Sequence, residues 1–185
     1  LVGEDLNIYG SKEFNQPQDD SLLFFNTIGK NYQLAPGDTI QITITGLSPS
    51  NENYQVMNDG TITLENVYPL NVNNLNLNQV SKLVLDKISL DDASAEVFVR
   101  LNNARLVTVQ ISGNVKSPRT IAVPAYTPLS RVIAYSGGVS DSGSLRNISL
   151  SQIGETTQSI DFYNFLQEPS LNTDPLIKNG ARIFV

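Results

Sequence analysis

The sequence contains no cysteine, no histidine and no tryptophan. Without thiolate or imidazole it cannot build a Cys- or His-ligated zinc site, a thiol nucleophile or a Ser-His-Asp triad. Charged residues are scarce, at 16%, well under the ~25% of an average globular domain. Twelve Lys and Arg stand against 18 Asp and Glu, a net charge of −6. The basic residues are scattered and form no stripe, so the counterion release that drives nucleic-acid binding has no footprint here. The same acidity opposes docking on anionic lipid. No apolar run reaches the roughly 18 residues of a membrane-spanning helix. Neutral or hydrated partners such as glycans remain compatible with this composition.

What takes the place of charge is uncharged polarity. There are 20 Asn, a residue that favours turns and polar faces because its amide competes for backbone hydrogen bonds. Hydrophobic residues make up 40%, enough for one or two cores. The chain opens Leu1-Val2-Gly3 without Met, which reads as a mature fragment whose targeting segment lies upstream.

Hydrophobic periodicity divides the chain. Residues 1–30 are polar and irregular and read as an arm. Ala35-Pro36-Gly37-Asp38 is a turn, with Pro setting φ and Gly allowing a positive φ. Ile40, Ile42 and Ile44 then alternate with Gln41, Thr43 and Thr45, the pattern of a half-buried strand. Asn58-Asp59-Gly60 between Tyr54–Met57 and Thr61–Leu64 predicts a hairpin. Leu77, Val80, Val84 and Ile88 recur at helical spacing, with Asn76 or Asn78 as the cap. Residues 95–101 read as a strand with Val97, Val99 and Leu101 on one face. A boundary falls near Asn102-Asn103.

The second unit repeats the recipe. Leu106–Ser112 is a strand, and Gly113 and Pro118 punctuate a hairpin into Thr120–Val123. Thr127-Pro128 predicts a helix start, with Thr as N-cap and Pro at the first helical position; Gly137-Gly138 ends that helix. Strands are expected near Arg146–Ser151 and Gln158–Phe162, and again at Arg182–Val185 after an Asn179-Gly180 turn. Val109, Ile111, Val132 and Ile133 are expected to share one buried cluster. The fold class is α+β: a small mixed-sheet domain over 31–103, then a domain over 104–185 with a sheet around one helix.

Candidate chemistry is thin. Pro36-Gly37-Asp38 reads as a structural turn. Gly137-Gly138 closes a helix, whereas phosphate-cradling glycines open one. Asp19-Asp20 and Asp91-Asp92 are adjacent turn acids, and glycosidase carboxylates must instead flank a sugar. Tyr54, Tyr68, Tyr126 and Tyr135 offer aromatic faces; packing is the main reading, with Tyr135 the one residue also read as a glycan contact. No catalytic, cofactor or metal residues are assigned.

Tyr32-Gln33-Leu34-Ala35-Pro36-Gly37-Asp38-Thr39-Ile40-Gln41-Ile42 resembles the opening of the polysaccharide-export domain. Asn58-Asp59-Gly60-Thr61-Ile62 and Glu96-Val97-Phe98-Val99 are similar to its hairpin and closing strand. Val109–Val115 with Pro118, Thr127-Pro128-Leu129, Ala134–Gly138 and the ending Asp161-Phe162, Asp174-Pro175-Leu176 and Gly180–Val185 resemble a soluble ligand-binding β-grasp (SLBB) domain. Ile8–Phe14 is similar to a stretch of the larger, multi-SLBB members. The chain departs from the family at Arg119, where Gly is usual after Pro118, at Ala181, where Asp is usual after Gly180, and at Glu65-Asn66-Val67, where Pro and Gly are usual.

The resemblance implies a structural ring subunit of an outer-membrane exporter for capsular or extracellular polysaccharide, on the periplasmic face of that membrane and without enzymatic activity. It implies other copies of the chain, the polysaccharide and an inner-membrane chain-length or export protein as partners. The alternative is a small-ligand- or glycan-binding β-grasp module, since domains of this type also take vitamin B12-like ligands. A polysaccharide lyase or hydrolase is the third, weakest reading.

Overall fold

A computed structural model describes residues 32–65, 68–90, 92–167 and 174–185. The expected arm, the Ile8–Phe14 stretch and Asp19-Asp20 lie outside them, as do Asn66, Val67 and Asp91. The described residues fall into two compact units that meet in sequence between Arg105 and Leu106.

In the first unit, β1 (Thr39–Thr45) is the central strand of a three-stranded antiparallel sheet, with β2 (Ser50–Gln55) on one side and β5 (Glu96–Asn103) on the other. The alternation read in β1 is realised: Ile40 and Ile42 are fully buried, and Ile44 is half-buried. Each fully buried Ile contributes about 1.5–3 kcal/mol relative to exposure. Across the buried face lies α1 (Leu77–Ile88), which inserts Val80 and Val84. The Ser81 hydroxyl donates to the Val97 carbonyl at 2.6 Å and ties α1 to β5. Of the two candidate caps, Asn76 is the one used. Its side chain accepts from the Gln79 N–H at 2.9 Å, and the Gln79 side chain accepts from the Asn76 N–H at 2.9 Å, a reciprocal capping box.

The hairpin expectation needs correction. The Asn58-Asp59-Gly60 turn forms: Met57 N–H donates to Thr61 at 2.8 Å, and Gly60 has φ +82°. Yet β3 (Thr61–Ile62) pairs with β4 (Leu70–Asn71) in a separate two-stranded ribbon and not with β2. The reason lies at Val56, beyond the end of β2. It exchanges backbone hydrogen bonds with the Gly37 and Asp38 turn, at 2.9 and 2.8 Å, so its backbone is already taken when the chain reverses.

The second unit is a five-stranded mixed sheet in the order β7-β6-β10-β8-β9. Its strands are β6 (Leu106–Ser112), β7 (Arg119–Pro124), β8 (Ile148–Ser151), β9 (Gln158–Ile160) and β10 (Ala181–Phe184). The last strand inserts in the middle, parallel to β6 and antiparallel to β8. Two short helices, α2 (Leu129–Tyr135) and α3 (Phe162–Gln167), complete the unit. Val109, Ile111, Val132 and Ile133 do share one buried cluster, joined by Leu129, Ile148, Leu150, Phe162, Ile177 and Ile183. Gly113 has φ +85°, and a Cβ there would stand 2.3 Å from the Val185 carbonyl oxygen. Only glycine lets β6 leave the sheet beside the incoming C-terminal strand.

Two local readings are corrected here. The helix begins at Leu129, so Pro128 occupies the cap position, and Thr127 does not cap it. Thr127 is buried, and its hydroxyl donates to the Pro124 carbonyl at 2.7 Å instead. Phe162 is not the end of a strand: β9 stops at Ile160, and Phe162 opens α3 as a fully buried core residue.

Candidate functional site

The turn at Pro36-Gly37-Asp38 is the most densely bonded polar feature of the first unit. Gly37 has φ +95°. Asp38 is completely buried. Its carboxylate accepts from the Tyr32 hydroxyl at 2.6 Å, the Ala35 N–H at 2.9 Å, the Arg105 N–H at 2.7 Å and the Arg105 Nη1 at 2.9 Å. One local bond was legible, because Asp in a turn commonly takes a nearby backbone N–H. The Arg105 bonds, 67 residues away in sequence, were not. The carboxylate thus closes the first unit by joining the entry of β1 to the segment that follows β5. Every oxygen is engaged, so it has no chemistry to offer a substrate.

Gly137 and Gly138 have φ +79° and +83° and follow α2, as read. Their N–H groups donate back to Ala134 and Ile133 at 2.9 and 3.1 Å, so they satisfy the helix's last carbonyls and are not turned toward an anion. Arg119, which replaces the usual glycine, donates its Nη2 to the Tyr135 carbonyl. A cation at a helix C-terminus is favourable because carbonyl dipoles converge there. Ala181, which replaces the usual Asp, is buried beside Val109. Tyr135 is half-buried and packs on the core cluster, as does Tyr126. Tyr126 holds φ +64° at the corner before α2. The glycan reading of Tyr135 gains no support from this placement.

Tyr54 donates to Glu52 at 2.8 Å; burial, then that bond, pushes its hydroxyl up to about 12. Tyr68 is 90% exposed. Asp92 accepts from the Ser94 hydroxyl and from the Leu47 and Ser94 N–H groups, which hold its carboxyl below the usual range; its neighbour Asp91 is outside the described residues. Asp174, read from the sequence as part of the Asp174-Pro175-Leu176 match, has a role that the reading did not include. Its Oδ1 accepts from the Ser130 N–H at 3.2 Å, so it supplies from 44 residues away the cap expected of Thr127. Burial raises its carboxyl above the ordinary value, against the lowering effect of the Ser130 hydroxyl and the Ser130 and Leu129 N–H groups. A Pro immediately after it, at 175, was the available signal, since X-Pro is extended and holds a side chain away from its own backbone. The Ser136 hydroxyl is buried without a partner among the described residues. Among those residues no group of three or more acids is placed to hold a metal. No helix among them is long and apolar enough to cross a membrane.

Comparison with known proteins gives this architecture its context. Residues 26–111 match the family described as polysaccharide biosynthesis/export protein, and residues 108–161 match the SLBB domain. Two polysialic acid transport proteins of Escherichia coli, both KpsD, are 29% and 28% identical over 163 residues. The aligned stretch is 86% of this chain but 29% of each relative, so the chain spans under a third of their length. The two matches follow one another in the order read from the motifs, so the chain carries a polysaccharide biosynthesis/export match followed by an SLBB domain.

Proposed function

We propose that this chain is part of an exporter that passes capsular or extracellular polysaccharide across the outer membrane. In this reading it acts without catalysis, as one subunit of a ring on the periplasmic face. Its partners are further copies of itself, the polymer and an inner-membrane export protein. The observation that carries the reading is the succession of the two domain types across residues 26–161, together with the likeness to polysialic acid transport proteins over 86% of the chain. The non-enzymatic part is supported by the engaged state of the buried carboxylates. Asp38 is saturated by hydrogen bonds, and Asp174 caps a helix.

A head-to-tail ring closes only when each subunit carries a complete pair of contact faces. The test is the mass of the whole protein in detergent, measured by light scattering beside these 185 residues alone. A closed oligomer of the whole protein is expected, with the isolated chain near its monomer mass of 20.2 kDa. A whole protein that remains monomeric contradicts the ring. Release of reducing ends or unsaturated sugars from a glycan contradicts the non-enzymatic reading.

A further inference from the structure

Each sheet has one face turned to its core and one left open, and the open faces carry the same four-residue arrangement. In the first unit, Phe98 and Arg100 alternate with Val97 and Val99 on β5. Phe98 is opposite Thr43 on β1, and Arg100 is opposite Gln41. In the second unit, Arg182 and Phe184 alternate with Ala181 and Ile183 on β10. Phe184 is beside Ser112 on β6, and Arg182 is beside Gln110. The first pairing is antiparallel and the second parallel, so no shared backbone rule produces the match. In both sheets an aromatic ring stands next to a hydroxyl, and a guanidinium next to a glutamine amide.

These side chains are available. Phe98 is 51% exposed and Phe184 59%; both Arg are exposed. Neither Arg100 nor Arg182 has an ion-pair or hydrogen-bond partner among the described residues. Half-exposed Phe on a sheet face is costly to leave in water, and an exposed guanidinium gives no stability in return. The surroundings are amides and hydroxyls: Asn51 and Asn53 extend the first face, and Ser149 and Ser151 the second. Glu96, at the far end of β5 from Arg100, is the acid on the first face; the paired positions of the second hold none. On a chain of net charge −6, both open faces therefore centre on a cation.

We propose that each of these faces is a saccharide subsite for an acidic, carboxylate-bearing polysaccharide. The Phe ring stacks on the apolar face of a sugar. The planar guanidinium pairs with a carboxylate, bidentate where geometry permits. The Gln exchanges hydrogen bonds with sugar hydroxyls, and the Thr43 or Ser112 hydroxyl, whose proton goes to Asn51 Oδ1 or to the Ile183 carbonyl, accepts from them. Residues two apart on a strand are separated by about 7 Å, which suits one sugar under the ring and its neighbour's acid under the Arg. Each subsite is weak and exposed, as a surface that must release a moving polymer requires. This inference rests on the export reading and adds to it the charge class of the polymer and the residues that meet it.

The test is a titration of the isotope-labelled 185-residue chain, followed by backbone amide shifts. The probes are an oligomer of sialic acid, an oligomer of galacturonic acid and, as a neutral control, maltohexaose. Shifts centred on Phe98, Arg100, Arg182 and Phe184 are expected with at least one acidic oligomer, with maltohexaose at least about tenfold weaker. Arg100→Gln and Arg182→Gln should each weaken binding at their own face by about tenfold, the scale of one charge-assisted contact. Arg→Lys should recover part of it. Absence of shifts with both acidic probes, shifts centred elsewhere, or equal binding of maltohexaose overturns the proposal. In cells, the Arg100→Gln/Arg182→Gln protein should export less polymer than wild type when it replaces the chromosomal copy. If it exports normally while cells lacking the gene do not, the subsites fall and the export reading stands. If cells lacking the gene export normally, the export reading itself falls.

Discussion

The two units solve the same problem with different kinds of information. In the first, β1 pairs on both sides with antiparallel strands, and its helix carries its own start signal, Asn76 and Gln79, three residues apart. In the second, the strand that completes the sheet comes last and slides between β6 and β8. Its main helix has no cap of its own and borrows Asp174 from near the end of the chain. Local signals suffice for most of the first unit, whereas the second is assembled by contacts that only the finished fold supplies. The first unit has long-range polar closures too, Arg105 on Asp38 above all, and these place the two on one scale.

The comparison breaks most severely in the cores. Ile133 is fully buried within the cluster that the late strand β10 completes. Ile133→Ala should destabilise the second unit by about 2–5 kcal/mol, read from urea unfolding; a loss below about 0.5 kcal/mol would remove Ile133 from that core. Next comes Asp38→Ala, which strands the Tyr32 hydroxyl and the Arg105 guanidinium without their shared acceptor. Breaking such a pair costs about 3 kcal/mol or more where it is buried, and the Arg105 side chain is 25% exposed, so about 2–3 kcal/mol is expected by the same measurement.

The smaller effects sharpen the contrast between own and borrowed caps. Asn76→Ala removes the acceptor of the capping box and should cost about 1 kcal/mol; an unchanged melting temperature would contradict the local account of α1. Asp174 should show its burial as a pH signature. Its folded-state pKa lies above the ordinary 3.8, because burial penalises the charged form. The folded chain therefore holds that proton more tightly than the unfolded chain, and this contribution fades as pH rises from about the ordinary value through the raised one. Asp174→Asn keeps an acceptor for the Ser130 N–H without the charge. Its melting temperature relative to wild type should rise between acid and neutral pH; a difference that is flat or falls with pH contradicts the buried placement of Asp174.

Legibility in the sequence follows the same division. The alternation of Ile40, Ile42 and Ile44, the spacing of Val80 and Val84, and the glycines after α2 were readable because periodicity and turn chemistry are local. The α+β class and the cluster around Ile133 followed from them. The partner of β3 was not readable: Asn58-Asp59-Gly60 specifies a reversal, while the partner is set by which backbone groups remain free. Thr127 misled because Thr-Pro before an apolar run has the composition of a cap, and only the fold reveals that its hydroxyl is spent on Pro124. Phe162 misled because one buried aromatic after a strand has no period of its own. At the candidate site, Asp38 was visible as a turn residue and Arg105 was not. The pairing of Arg100 with Gln41 and of Arg182 with Gln110 required strand register, which sequence spacing does not contain.

The most direct test of export is where the polymer accumulates when the gene is deleted. Surface polysaccharide should disappear and polymer should build up inside the envelope, with both restored by a plasmid copy. Undiminished surface polysaccharide in the deletion strain would contradict the assignment of this chain to polysaccharide export.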